Sequence, residues 1–78
     1  MHSKNEELKA REKLIQAFEL FNHILTTNQK QIFHLYYIED LSLSEIANIV
    51  ATTRSSVHDT LTKATKKLKP FLNNIEMD

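Results

Sequence analysis

Two sets of apolar residues spaced four, three and four apart fix what this chain can fold into: Leu14, Phe18, Phe21 and Leu25, and later Val57, Leu61, Ala64 and Leu68. That spacing gathers each set on one face of an α-helix, whereas a strand, which alternates faces at every residue, would scatter it. The first set predicts a helix over residues 5 to 25. Ile15, Ala17, Leu20 and Ile24 widen its apolar arc, so this helix should touch neighbours on two sides, one of which could be a second subunit. No glycine and a single proline occur in the 78 residues, so the tight turns of β-hairpins lack their usual residue and a β-rich fold is not expected.

Two helix starts lie between these sets. Thr26 followed by Gln29 has the spacing of a capping box, in which each side chain satisfies a backbone N–H at a helix start, and the helix it opens should run to about Glu39. Phe33, Leu35, Tyr36, Tyr37 and Ile38 make its second half apolar nearly all round, as in a central helix with both tyrosines in the core. Ser42 with Glu45 repeats the box and opens a helix of about two turns carrying Ile46, Ala47, Ile49 and Val50. Thr53 is the N-cap expected of the last helix, which Pro70 should end or kink near Lys69, with residues 71 to 75 free to resume helically. The expected fold is all-α: one domain over residues 1–78, about four helices, a helix-turn-helix core at about 42–69 and a short tail over 71–78.

A two-turn helix, a short turn and a longer helix with a narrow apolar stripe form a helix-turn-helix, whose second helix enters the DNA major groove. Ala47 is expected where the two helices cross most closely, with Ile46, Val50 and Val57 as the hydrophobic plug. One turn residue needs a positive φ, and without glycine that falls to Ala51 or Thr52. On the last helix, Ser55, Asp59, Thr62 and Lys66 lie opposite the apolar stripe. Arg54, Ser55, Ser56, His58, Asp59 and Thr62 are therefore the candidate DNA-reading residues. Arg54 suits a guanine or a phosphate, while Asp59 suits a cytosine amine or an i,i+4 pair with Lys63. Thr53, Lys63, Lys66 and Lys67 are the candidate phosphate contacts. The formal net charge is zero, yet residues 54 to 69 hold five basic side chains against one acidic one. Lysines near a helix C-terminus are also favoured by the helix dipole alone.

The string Leu41-Ser42-Leu43-Ser44-Glu45-Ile46-Ala47, with Leu35-Tyr36-Tyr37 before it and Thr53-Arg54 and Val57 after it, resembles the YlxM-type proteins of bacteria. These in turn resemble region four of RNA polymerase sigma factors. The resemblance runs from about Leu20 to Leu68. It implies a helical bundle, a regulatory role and a link to the signal recognition particle pathway, with particle components or RNA polymerase as partners beside DNA. The family's common Ser-Arg-Gln-Ala-Val is here Thr53-Arg54-Ser55-Ser56-Val57, and little of the family's usual C-terminal extension is present.

There is no cysteine, and His2, His23, His34 and His58 lack ligand spacing, so neither a metal nor a cofactor is expected. No glycine-framed serine elbow or phosphate loop occurs, and the Glu6-Glu7 and Glu39-Asp40 pairs read as solvated helix ends, so no enzyme is expected. Without a leader or membrane span in the sequence, the expected location is the cytoplasm. Two functions follow. The first is a DNA-binding transcriptional regulator, with homodimerisation expected because helix-turn-helix proteins usually bind paired half-sites. The alternative is a non-enzymatic accessory of the signal recognition particle pathway acting through protein or RNA contacts.

Overall fold

Four helices carry most of the backbone of residues 4–74, which this computed structural model describes together with the side chains of residues 9–73: α1 (Lys4–Phe21), α2 (Thr27–Phe33), α3 (Leu43–Ile49) and α4 (Arg54–Leu68). A short 3-10 segment, Asn22–Ile24, follows α1, a π-helical turn, His34–Ile38, extends α2, and a 3-10 segment, Lys69–Asn74, follows α4. No strand occurs among the described residues. His2, the side chains of Glu6 and Glu7, and residues 75 to 78 lie outside them.

Both capping boxes form. Thr26 Oγ1 accepts from Gln29 N and Gln29 Oε1 accepts from Thr26 N, each at 3.1 Å. At α3, Ser42 Oγ accepts from Glu45 N at 3.1 Å while Glu45 Oε1 accepts from Ser42 N at 2.9 Å. The backbone N–H of Ser42, and to a smaller degree its hydroxyl, hold the carboxyl of Glu45 below its ordinary range.

In place of an α-helix reaching Glu39, regular α2 stops at Phe33 and the chain widens into the π-helical turn, with Glu39 N donating to His34 O at 3.1 Å. A left-handed residue lies just beyond it. Asp40 takes φ 60°, and Leu41 N reaches back to Leu35 O, which satisfies a terminal carbonyl as a Schellman closure does, one residue wider. Asp is one of the few residue types that visit this left-handed region readily. Glu39 and Asp40 are exposed but not simply solvated, since a Glu39 carboxylate oxygen lies 3.2 Å from His34 Nδ1 and Asp40 accepts from Arg11 of α1. Arg11 also donates to Tyr37 O at 2.7 Å and lies over the Tyr37 ring, so one guanidinium ties α1 to the segment leading into α3.

The core is an aromatic column flanked by aliphatic residues. Phe18 of α1 stacks on Phe33 of α2 with centroids 4.4 Å apart, and Phe33 meets Tyr37 at 4.6 Å. Phe33, Ile32, Ile46, Leu68 and Val57 are fully buried, each worth about 1.5–3 kcal/mol relative to exposure. Tyr36 and Tyr37 are half-buried, set against the core rather than inside it, and burial pushes the Tyr37 hydroxyl upward. The wide arc of α1 is only partly covered: Ala17 and Phe18 are buried, whereas Leu20 is 64% exposed. Pro70 marks the end of regular α4, after which Phe71 stacks on Phe21 at 4.5 Å.

Candidate nucleic-acid interface

The turn between α3 and α4 sets the site. Ala51 has φ 55°, and Thr52 N donates to Ala47 O at 2.9 Å, a Schellman closure in which Ala51 occupies the place usually held by glycine. Of the two residues available for a positive φ, the chain uses Ala51. The closure lets the backbone reverse at once, and Ile46, Ala47 and Val57 are buried in the crossing with half-buried Val50 beside them.

Thr53 caps α4, its Oγ1 accepting from Ser56 N at 3.1 Å. The inward stripe is complete: Val57, Leu61, Ala64 and Leu68 are all buried, so the rotation of α4 about its own axis is fixed. Thr53, Arg54, Ser55, Ser56, His58, Asp59, Thr62, Lys63, Lys66 and Lys67 are accordingly all exposed. Several already have partners. Asp59 pairs with Lys63 at 3.1 Å, the i,i+4 arrangement that the spacing allows. Thr62 Oγ1 donates to His58 O at 2.9 Å, which leaves the hydroxyl as an acceptor toward any ligand. Lys67 Nζ donates to Gln29 Oε1 at 3.0 Å and is drawn toward α2. Arg54, Lys66 and Lys69 form no ion pair among the described residues.

A shallow hollow opens at the start of the last helix, lined by Leu43, Arg54, Ser55 and His58. A second, sharing Leu43 and His58, continues along Tyr36, Leu61, Thr62 and Thr65. Sequence spacing groups the α4 side chains but misses Leu43, which comes from the first residue of α3. It also misses Gln29 as the partner of Lys67. The available signal for Leu43 is an apolar residue placed between two serines at a helix start.

Residues 8–78 match the family UPF0122, described as "Putative helix-turn-helix protein, YlxM / p13 like". The chain belongs to this family. Its relatives include a UPF0122 protein of Mycoplasma capricolum, 41% identical over 68 residues that cover 87% of this chain and 60% of the relative. A UPF0122 protein of Clostridium botulinum is 30% identical over 70 residues, 90% of this chain and 64% of the relative. One from Ureaplasma urealyticum is 38% identical over 58 residues, 74% of this chain and 59% of the relative. The chain thus spans about six-tenths of the length of these UPF0122 relatives. No solved structure matches it. No helix among the described residues is long and apolar enough to cross a membrane, and no group of three His, Asp or Glu side chains among them could hold a metal ion.

Proposed function

We propose that this UPF0122 chain is a cytoplasmic, non-enzymatic DNA-binding regulatory module that lays the N-terminal half of α4 in the major groove. The observation that carries this reading is the division of α4 into a buried apolar stripe and an exposed outer face of hydroxyls, His58, Arg54, Lys66 and the Asp59–Lys63 pair. Such a face offers hydrogen-bonding groups to base edges near the helix start and positive charge to phosphates further along. Ser55, Ser56, His58 and Thr62 meet base edges, with Asp59 reaching a cytosine amine when it leaves Lys63. Arg54 meets a guanine or phosphate, and Thr53, Lys63 and Lys66 meet phosphates, joined by Lys67 when it releases Gln29. Paired modules on two half-sites would supply the affinity that one lacks, and sedimentation at high protein concentration reads that dimer.

One observation favours the accessory role in the signal recognition particle pathway. Zero net charge, with Lys63 and Lys67 already engaged, leaves few free cations for a polyanion and so favours the protein-contact form of that role over DNA and RNA alike. The deciding experiment compares fluorescently labelled random duplex DNA, signal recognition particle RNA and that particle's protein in one buffer across a salt series. Salt-dependent duplex binding with Kd in the ~10⁻⁴ to 10⁻⁶ M range supports the DNA reading. Absence of duplex binding alongside binding to the particle overturns it.

A further inference from the structure

The hollow at the start of α4 contains one apolar side chain, Leu43, set among Arg54, Ser55 and His58. Leu43 is half-buried, and it also lines the adjoining hollow beside His58. Ser42 just before it and Ser44 just after it are exposed. Leu43 packs in part against the core, and its remaining exposed surface lies beside Arg54, Ser55 and His58, where an apolar group gains nothing from phosphates or water. What it can recognise on a base edge is the C5-methyl of thymine, the only methyl group displayed in the major groove.

From this juxtaposition we infer that Leu43 is a specificity-determining residue that takes a thymine methyl into the hollow while Arg54, Ser55 and His58 bond the polar edges beside it. The inference rests on the DNA reading of α4 and adds to it a reader from α3. The capping box supports it mechanically, because Ser42 and Glu45 fix the first turn of α3 through two reciprocal hydrogen bonds and so fix where Leu43 sits. Burying one methyl is worth about 0.8 kcal/mol, roughly a fourfold change in affinity.

The test begins with the full chain and a duplex selected by it from a random pool. Each thymine is then replaced in turn by deoxyuridine, which lacks only the methyl. The expected result is about a fourfold loss at one or two thymines with the wild type, and no loss at those positions with Leu43→Ala or Leu43→Gln. An intermolecular nuclear Overhauser contact between the Leu43 methyls and that thymine methyl in the wild-type complex is expected as well, and it decides the matter if both variants fail to fold. Duplex binding with no deoxyuridine-sensitive position, or with the same sensitivity in folded variants, overturns the role of Leu43 and leaves the DNA reading standing. Failure of the wild type to bind any duplex overturns both.

Discussion

Gln29 Oε1 accepts two hydrogen bonds at once, from Thr26 N at 3.1 Å and from Lys67 Nζ at 3.0 Å. A single amide oxygen thereby closes the α2 capping box and ties the last turn of α4 to it, and Gln29 is the one buried polar residue among those described. Replacing Lys67 by Met keeps the aliphatic stem and leaves Gln29 still bonded to Thr26, so the expected loss is modest, about 0.5–1.5 kcal/mol. Gln29→Ala removes both bonds and should cost more. Urea denaturation of the two single variants and the double variant should show coupling, because the residues share one hydrogen bond.

Ala51 holds a left-handed backbone at φ 55°, where a Cβ costs about 1–2 kcal/mol. Glycine removes that cost but enlarges the conformational freedom of the unfolded chain, which offsets about 0.4–1 kcal/mol. Ala51→Gly should therefore stabilise the protein by between about 0 and 1.6 kcal/mol, read as an unchanged or raised Tm. A lower Tm would contradict the strain assigned to this turn.

The sequence is most legible where one residue type has one physical use. Thr26, Ser42 and Thr53 cap the helices expected of them, and the Val57 to Leu68 stripe is buried as its spacing requires. Ala51 is one of two candidates for the turn, and only the surrounding Ala47 to Thr52 closure selects it. The π-helical turn is not legible: apolar periodicity over residues 33 to 38 fits an α-helix equally well, and the left-handed backbone of Asp40 just beyond it leaves no mark on that spacing. Bonds that cross the fold are hidden for a similar reason. Arg11 to Asp40 and Lys67 to Gln29 join residues 29 and 38 positions apart, and spacing rules describe neighbours on a single element. Leu43 joins the α4 face only once the angle between α3 and α4 is fixed.

Glu45 gives the fold a small acid sensitivity. Its carboxyl is held below the ordinary value of 4.5 by bonds it accepts only when folded and ionised. A carboxylate with a depressed folded pKa contributes stability above its unfolded pKa and loses it as pH falls through the folded one. Carbon-detected NMR titration should place Glu45 below 4.5, and Ser42→Ala, which removes the smaller of the two causes, should move it part of the way back. The same variant loses the cap of α3, at ~1 kcal/mol of stability. A Glu45 titrating at its ordinary value in the wild type would mean that the box is open in solution.

The charges on α4 make opposite demands on DNA binding, and substitutions that separate them test the proposed interface. Asp59 and Lys63 are both about two-thirds exposed, so their 3.1 Å pair adds little to stability, and Asp59→Asn should leave Tm almost unchanged. Its effect on binding should be larger. Removing the carboxylate frees Lys63 for a phosphate and abolishes a repulsive charge on the groove side, so affinity for random duplex should rise and its salt dependence steepen, while any preference for a cytosine that Asp59 reads should fall. Lys66→Ala should do the reverse, weakening all duplexes alike and flattening the slope of log Kd against log salt by about 0.9, since one phosphate fewer is neutralised. Ser55→Ala removes no charge, so it should leave the salt slope unchanged and lower only the preference for a selected site, by no more than ~1–3 kcal/mol. The three patterns differ in sign or in salt dependence, and all require the same face of α4 in one groove. Anisotropy titrations at several salt concentrations separate them, and equal slopes for wild type, Asp59→Asn and Lys66→Ala would show that this face of α4 does not meet DNA.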